Sequence, residues 1–326
     1  NLISCGLKMP SVSDKGPLVY IIGPTAVGKS DLAIQLALRI NGEIISADSR
    51  YFYRGMDIGT AKPSSSERSR VPHHLIDILN PDESMSLAIF LELADQIIKN
   101  LWRHHQVPIM VGGSGQFYSA IVHGWRPPRG EPRPELRQIL NNIAGEIGKS
   151  SLHEWLMLVD PAAAKQIDPS NVRRTIRALE VILSSGERFS SQKVASGSNY
   201  ECITVGITRP REEIYRRVDE RIEEMLREGW VEEVRRLVAN GYPSDLPAFS
   251  AIGYREIADH IAGSISLEEA VIQIRRRTKM FVRRQANWFK IDDPSIRWFW
   301  YGESILEQVI DYIHQRLLSV ERLRNE

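Results

Sequence analysis

The sequence predicts an α/β fold, in which helices flank a parallel sheet and a helical insertion interrupts the chain. Residues 18–22 form an apolar, β-branched run that ends at Gly23, and helically spaced apolar residues follow over residues 30–40. Strand and helix patterns then alternate, which is typical of a parallel sheet. Strand patterns disappear over residues 125–200, and this loss predicts the insertion.

The remaining elements of the α/β part follow from the same kind of pattern. Short apolar runs at residues 43–47 and 107–111 predict two further strands, which end at Asp48 and at Gly112. Apolar residues at helical spacing predict a helix between them, over residues 86–103. These three elements complete the alternation that a parallel sheet requires.

The carboxyl-terminal part is predicted to begin with a strand and to continue as helices. Residues 201–207 have a strand pattern, which we expect to return to the first sheet. One long amphipathic helix is predicted to begin at Pro210 and to end at Gly241. An aromatic run at residues 297–301 predicts a short last strand.

The chain is therefore expected to form two bodies. Residues 17–124 and 201–326 form the α/β core with its helical carboxyl-terminal part, and residues 125–200 form the helical insertion domain. Residues 1–16 are predicted to be a disordered start without a role in the fold.

Composition favours a soluble, cytoplasmic protein, which we expect to be a monomer without membrane contacts. The chain has 326 residues, 42% of them hydrophobic, but no run approaches the roughly 18 to 20 apolar residues of a membrane span. Cys5 and Cys202 are its only cysteines. Neither a disulfide framework nor a multi-cysteine zinc site is predicted from two cysteines.

Charge is balanced overall but not locally. The 42 basic and 41 acidic residues give a net charge of +1, which does not by itself indicate a nucleic-acid-binding protein. Within residues 271–290 the basic residues occur without any acidic residue; they are Arg275, Arg276, Arg277, Lys279, Arg283, Arg284 and Lys290. Because like charges repel, we interpret this run as a surface for a polyanion and not as an ordinary solvated helix face.

The loop after the first predicted strand matches the phosphate-loop pattern G-x-x-x-x-G-K-[ST]. Its residues are Gly23, Pro24, Thr25, Ala26, Val27, Gly28, Lys29 and Ser30. Glycines let backbone N–H groups surround an anion, Lys29 adds a positive charge, and the Ser30 hydroxyl can bind Mg²⁺. Since the loop lies between a strand and a helix, we predict a core like that of the phosphate-loop NTPases.

A metal-binding aspartate that is usual in phosphoryl transfer is missing. Phosphate-loop enzymes normally place it at the end of a later apolar strand, but the strand at residues 107–111 ends in Gly112 and Gly113. The nearest strand-end carboxylate is Asp48, at the crevice where open α/β sheets bind ligands. The residues alone leave two options, a kinase with Asp48 as base or an enzyme whose loop holds a diphosphate leaving group.

Several segments resemble, in order, the signature of the tRNA dimethylallyltransferases, also called tRNA isopentenyltransferases. The most specific is the string from Gly55 to Pro63, Gly-Met-Asp-Ile-Gly-Thr-Ala-Lys-Pro, which follows Asp48-Ser49-Arg50. The others are the phosphate loop and residues 72–77, 112–115, 174–180, 252–256 and 278–289. The likeness covers residues 18–300 and lacks the zinc finger of eukaryotic relatives, so it suggests the bacterial type.

The resemblance implies a reaction. A dimethylallyl group would pass from dimethylallyl diphosphate to N6 of the adenosine 3′-adjacent to the anticodon in tRNA, with Mg²⁺ as cofactor. Asp48 would act as general base on the amine, a contribution of about 10²- to 10⁴-fold. Lys29, Mg²⁺ at Ser30 and the loop amides would stabilise the departing diphosphate.

Three more residues enter the predicted site. Arg217 and Arg221 lie four residues apart, hence on one face of their helix. By resemblance both bind the diphosphate, and Arg217 is its second, catalytic clamp. Ser114 corresponds to a small hydroxyl residue that the family places near the diphosphate and the amine, although serine would also suit a strand-end turn.

Contacts with tRNA are expected from both bodies. The first set comes from the sheet edge and comprises Asp48, Ser49, Arg50 and Tyr51, and the second comprises Arg173, Arg174, Thr175, Ile176, Arg177, Arg283 and Arg284. A base must leave its stack to reach the site, which fits a cleft. Tyr51 stands where the family usually has glutamine, so it could stack on a base instead of hydrogen-bonding to it.

Other functions remain as alternatives. An adenylate (free-nucleotide) isopentenyltransferase would share the loop and Asp48, but AMP needs no arginine-bearing insertion. An ATP-dependent small-molecule kinase would transfer a γ-phosphate, and an RNA-binding module with an inactive loop would not need Asp48. We interpret Lys62, Asp57 and Asp77 as structural ion partners.

Overall fold

A computed structural model describes residues 15–126, 133–192 and 197–325. Its centre is one sheet of six parallel strands in the order β3-β2-β4-β1-β5-β6. The strands are β1 (Pro17–Ile22), β2 (Gly42–Ser46), β3 (His73–His74), β4 (Val107–Val111), β5 (Glu201–Thr208) and β6 (Ile296–Trp300). This sheet confirms the predicted fold class.

Helices flank the sheet and form the insertion. Those outside the insertion are α1 (Lys29–Ile40), α2 (Ser65–Arg70), α3 (Leu87–Arg103), α4 (Gly115–Val122), α9 (Arg211–Arg227), α10 (Trp230–Ala239), α11 (Tyr254–Ile261), α12 (Leu267–Trp288) and α13 (Ile305–Asn325). A 3₁₀ turn at Pro247–Ser250 precedes α11. The insertion contains α5 (Pro134–Ile147), α6 (Lys149–Val159), α7 (Pro161–Gln166) and α8 (Val172–Ser185).

Strand β1 is the central element because it is apolar along its whole length. All six of its residues are buried, as expected for a parallel strand that is covered on both faces. It pairs with β4 on one side and with β5 on the other. The phosphate loop therefore follows the best-buried strand of the sheet.

The chain divides into two compact units, Asn1–Val122 with Ser198–Glu326, and His123–Gly197. The second unit begins and ends near the predicted bounds of 125 and 200. Its own core includes Leu152, Leu156 and Leu179. Residues 1–14 of the predicted disordered start lie outside the described residues, but Gly16 takes part in the fold, because its carbonyl accepts the N–H of Glu201 over 2.9 Å.

The helix predicted from Pro210 to Gly241 is wrong in one respect, because it is two helices. Helix α9 ends at Arg227 and α10 begins at Trp230. Between them Gly229 has a φ of 99°, a left-handed conformation that ends a helix and that glycine adopts without strain. The turn places the Trp230 ring in the core, where it is 1% exposed.

Membrane insertion finds no support in the helices. Across the described ranges, none of them has both the length and the apolar composition that crossing a bilayer would take.

Candidate active site

The phosphate loop turns sharply between β1 and α1 because two of its glycines have positive φ angles. Gly23 has a φ of 148° and Gly28 a φ of 105°. A Cβ on Gly23 would lie 2.4 Å from the carbonyl oxygen of Ile207, and one on Gly28 would lie 2.5 Å from the Tyr301 ring. No larger residue fits at either position, so the adjacent chain fixes the course of the loop.

Two arginines hold the apex of the loop. Arg217 donates its Nε–H to the carbonyl of Ala26 over 2.8 Å, and Arg209 donates its Nε–H to the carbonyl of Val27 over 2.9 Å. The Arg209 guanidinium also lies 3.9 Å from the centre of the Tyr301 ring, a cation–π contact. These bonds support a left-handed conformation at Ala26, whose φ is 62°, although such a conformation is unusual for a residue with a Cβ.

The ammonium group of Lys29 is buried, so a negatively charged ligand would stabilise it. Its Nζ donates to the carbonyl of Pro24 over 2.7 Å. Burial lowers the pKa of Lys29 to about 8, while the negative charge of Asp48 opposes this shift and the positive charge of Arg221 adds to it. A bound anion would restore the pKa, because it would favour the charged form.

The phosphate loop opens onto a cavity of about 710 Å³. Residues from the loop, the end of β2 and α9 meet there, and those predicted as site residues are Thr25, Ala26, Gly28, Lys29, Ser30, Asp48, Tyr51, Arg217 and Arg221. Its volume is in the range of small-molecule sites. One cavity thus collects most of the residues predicted to bind diphosphate.

Asp48 lies where β2 ends, next to the loop. Its Oδ1 accepts the backbone N–H of Arg50 over 2.9 Å, which closes a short turn and fixes the carboxylate. Its charge opposes the fall in the pKa of Lys29. The carboxylate and the ammonium are therefore electrostatic neighbours in the same cavity.

Ser114 makes a structural hydrogen bond at the start of α4, which agrees with the turn role that the sequence also allowed. Its Oγ accepts the N–H of Phe117 over 3.5 Å at the start of α4, where helix N–H groups need acceptors. Gly112 and Gly113 line the cavity, but Ser114 is not among its lining residues. Its predicted role beside the reacting amine stays a prediction.

The signature string from Gly55 to Pro63 is held by a buried carboxylate. Glu233 of α10 is 3% exposed and accepts the N–H groups of Asp57, Ile58 and Gly59 over 2.8, 2.7 and 3.2 Å. It also accepts the hydroxyl of Tyr254 over 2.7 Å. Four donors satisfy this carboxylate, which stabilises it away from water.

The Trp230 indole packs against two glycines of different segments. A Cβ on Gly59 would lie 1.9 Å from the indole Nε1, and a Cβ on Gly253 would lie 2.1 Å from the six-membered part of the ring. Both glycines are thus required by the same side chain. Together with Glu233, this ring sets the position of the string along the cavity wall.

Lys62 forms the ion cluster that was predicted. Its ammonium contacts Asp57 over 2.5 Å and Asp77 over 2.6 Å, and its side chain is 1% exposed. It also donates to the carbonyl of Tyr53 over 2.7 Å. Asp77 also forms a salt bridge with Arg68 over 2.6 Å. Although burial acts to raise the pKa of Asp77, the hydrogen bonds from Lys62 and Arg68 hold it below its usual value.

Tyr51 lies at the cavity, and the backbone of the signature string accepts its hydroxyl. Its hydroxyl donates to the carbonyl of Ala61 over 2.8 Å, and it lines the cavity beside Ser30 and Asp48. Burial, together with the charge of Asp48, raises the pKa of Tyr51, so the hydroxyl stays protonated. Whether the Tyr51 ring stacks on a base stays a prediction.

The other predicted tRNA contacts divide by exposure. In α8, Arg173 and Arg174 are exposed, whereas Thr175 and Ile176 are buried in the core of their unit. Arg177 is paired with Glu180 over 2.6 Å. Arg173 and Arg174 are thus the most exposed of these five side chains, and the predicted tRNA contacts of the buried Thr175 and Ile176 stay predictions.

Near the sheet edge, Arg50 donates to the carbonyl of Pro247 over 3.3 Å, and Ser49 is half-buried.

The basic run at residues 271–290 is not uncompensated, contrary to the prediction from the sequence. Acidic residues do compensate part of it, but they come from other helices: Arg275 contacts Glu223, Lys279 contacts Asp219 and Arg277 contacts Glu256. These pairs could not be predicted from the sequence, because in each pair the two residues lie on different helices. Arg283 donates its Nε–H to the hydroxyl of Tyr215 over 3.0 Å, and Arg284 lies 6.0 Å from the Phe281 ring.

Glu233 and Arg209 escaped the sequence patterns, and so did the role of Gln285, although that residue lies in the resembling segment 278–289. Glu233, Arg209 and Gln285 act on backbone groups far away in the chain, and such contacts leave no local signal. Gly59 and Gly113 are hints in the sequence, because Trp230 and Gln285 pack directly against them.

The fold and the cavity define a phosphate-loop α/β protein in which a strand-end carboxylate is close to the loop lysine. A family model described as IPP transferase matches residues 51–292, so the chain belongs to that family. This membership confirms the resemblance found in the sequence.

Two named relatives and one solved structure align with this chain over most of their length. The tRNA dimethylallyltransferase of Roseiflexus sp. is 47% identical over 84% of this chain and 90% of its own length. That of Dehalococcoides mccartyi is 42% identical over 92% and 93% of the two chains. The crystal structure of the tRNA isopentenylpyrophosphate transferase of Bacillus halodurans is 36% identical, with a TM-score of 0.71 over 95% of this chain and 99% of that one. All three relatives carry the names of tRNA prenyl transferases.

Proposed function

We propose that this chain transfers a dimethylallyl group from dimethylallyl diphosphate to N6 of the adenosine 3′-adjacent to the anticodon in tRNA. The observation that carries the proposal is that Lys29 and Asp48 line the same cavity and interact electrostatically there. The family and the names of the relatives support it.

The chemistry needs one group that accepts a proton and others that stabilise a leaving anion. The bond between the prenyl carbon and the diphosphate oxygen breaks, and its electron pair leaves with the diphosphate. A bond forms between that carbon and the adenine nitrogen, whose proton passes to the Asp48 carboxylate. Lys29, Arg217 and Arg221 stabilise the departing charge.

The donor groups present fit Mg²⁺. Ser30 offers a hydroxyl oxygen at the cavity, and among the described residues no set of three His, Cys, Asp or Glu side chains forms a metal cage. Mg²⁺ is usually held by few protein ligands, with substrate phosphates and water completing its shell. When bound, the ion would neutralise charge on the diphosphate.

Mass spectrometry of nucleosides tests the proposal. The purified chain is incubated with Mg²⁺, dimethylallyl diphosphate and tRNA that lacks the modification, and the tRNA is digested. We expect a prenylated adenosine among the nucleosides, absent when the donor is omitted. Parallel incubations with AMP in place of tRNA, and with ATP as donor, separate the alternatives: transfer only to AMP would indicate the free-nucleotide enzyme, and phosphate transfer without prenyl incorporation would indicate a kinase.

A further inference from the structure

One buried side chain connects the phosphate loop to the turn after β4. Gln285 of α12 is 4% exposed. Its Oε1 accepts the backbone N–H of Thr25 over 2.9 Å, and its Nε2 donates to the carbonyl of Gly113 over 3.1 Å. Both halves of the amide are therefore used, each on a different segment of the site.

The fit at this point leaves no space for other residues. A Cβ on Gly113 would lie 2.1 Å from Nε2 of Gln285, so the glycine and the glutamine require each other. Two residues further on, a Cβ on Gly115 would lie 2.1 Å from the Trp288 ring. Helix α12 thus packs on the turn that carries Ser114 with two of its side chains.

The same amide determines where one loop donor points. The Thr25 N–H is committed to Gln285, while the next residue, Ala26, is held by Arg217 from α9. Two helices therefore fix the loop apex from two directions. The residues before Gln285 are Arg283 and Arg284, which are candidates for tRNA contact.

We propose that Gln285 is a positioning residue that sets the phosphate loop relative to the Gly113–Ser114 turn, and so aligns the bound donor with the acceptor amine. The proposal rests on the proposed function. It assigns to Gln285 no contact with either substrate. Its effect is exerted through Thr25 and Gly113, whose backbone groups need one acceptor and one donor at fixed places.

The variant Gln285→Glu gives a pH-dependent test. A protonated carboxyl reproduces the amide, because its carbonyl accepts from Thr25 and its O–H donates to Gly113. An ionised carboxylate would face the Gly113 carbonyl with an acceptor, which is unfavourable. The charged and titratable side chains around the cavity are Lys29, Asp31, Asp48, Tyr51, Asp57, Lys62, Glu67, His73, Arg217, Glu220, Arg221, Glu224 and Glu228. They are common to both proteins, so the ratio of variant to wild-type kcat removes their titration.

We expect this ratio to rise at least about tenfold between pH 8 and pH 6, while KM for tRNA changes less than about twofold. Gln285→Met, of similar size but without these polar groups, should stay low at every pH. Gln308→Glu on the exposed face of α13 is the matched control and should follow wild type. Calorimetry with inorganic pyrophosphate gives a readout that does not depend on turnover, and Gln285→Glu should bind it more weakly at pH 8 than at pH 6, relative to wild type.

A Gln285→Glu enzyme that equals wild type at all pH values would overturn the positioning role, and so would a pH-independent loss. An inactive wild type would instead overturn the proposed function, so the two failures are distinguishable. Thermal unfolding of each variant identifies a loss that is due only to misfolding. If Gln285→Glu does not fold, the variants Gln285→Met and Gly113→Ala take its place. The proposal would be overturned if both of these variants had the kcat and the pyrophosphate affinity of the wild type.

Discussion

The Nε–H of Arg217 meets the carbonyl of Ala26 at 2.8 Å, so a helix that begins after β5 holds the apex of a loop that follows β1. The bond uses only one edge of the guanidinium. The other N–H groups belong to a side chain that lines the cavity, and they are available for a bound diphosphate.

Replacing Arg217 should therefore affect the donor more than the acceptor. We expect Arg217→Ala to lower kcat/KM for dimethylallyl diphosphate by about 10²- to 10³-fold, because both the loop support and the anion contact are lost. Arg217→Lys should recover only part of this, since an ammonium lacks the planar set of donors. The neighbouring Arg216→Ala, on the exposed side of α9, is the control; equal losses in both would contradict the assignment.

Donor binding should depend on pH through Lys29. Its pKa is about 8 in the free protein, and a bound diphosphate raises this value because it favours the ammonium. Affinity for pyrophosphate should hence fall as the pH rises above about 8, by up to about tenfold per pH unit. Calorimetry from pH 7 to 9.5 measures it, and dividing by the affinity of Lys29→Met removes the titration of the ligand. A flat ratio would argue against this role.

Asp48 should control turnover and not tRNA affinity. Asp48→Asn keeps the size of the side chain but removes the proton acceptor, so kcat should fall by about 10²- to 10⁴-fold. Asp31 also lines the cavity, and Asp31→Asn should remain within about threefold of wild type. Single-turnover assays and filter binding distinguish the two effects. If Asp48→Asn weakened tRNA binding and left the chemical step unchanged, the role of general base would be lost.

Glu233 should matter for stability because it satisfies three backbone N–H groups. In Glu233→Gln the amide NH₂ would face some of these donors, which we expect to cost about 2 to 4 kcal/mol in the free energy of unfolding. Glu232→Gln, on the exposed side of the same helix turn, should cost less than about 0.5 kcal/mol. Urea denaturation measures both. Similar midpoints would show that the string is held by other contacts.

Arg173 and Arg174 should contribute to tRNA affinity by charge. The double substitution to alanine should reduce the salt slope of binding by about 1.4, on the basis of about 0.7 per single-strand phosphate contact. Arg39→Ala with Arg103→Ala, two exposed arginines of the other unit, should leave the slope unchanged. Binding titrations between low and moderate salt give the slopes. An unchanged slope for the first pair would remove these residues from the interface.

Apolar patterns in the sequence correctly predicted the strands and loops whose structure depends on neighbouring residues. The alternation of apolar runs gave β1, β2 and β4 close to their true bounds, because parallel strands buried on both faces are continuously apolar. The phosphate loop and Asp48 followed from strand ends. The two-residue strand β3 was missed, since His73 and His74 have no strand pattern and join the sheet only by pairing with β2.

What remained hidden depends on contacts between distant segments. Helical periodicity continues from α9 into α10, so only the conformation of Gly229 reveals the break. The acidic partners of Arg275, Arg277 and Lys279 come from other helices, and a count along residues 271–290 could not include them. Gln285 likewise looks like one more polar residue until the chain is folded.

The contact of Trp230 with Gly59 and Gly253 has an evolutionary consequence. One indole occupies the space that a methyl group at either glycine would need, although the two glycines are far apart in the chain. A larger residue at 59 can be accepted only if residue 230 becomes smaller, whereas at 253 the φ of 102° favours glycine whatever the size of residue 230. A chain that keeps tryptophan at 230 should therefore keep glycine at both 59 and 253.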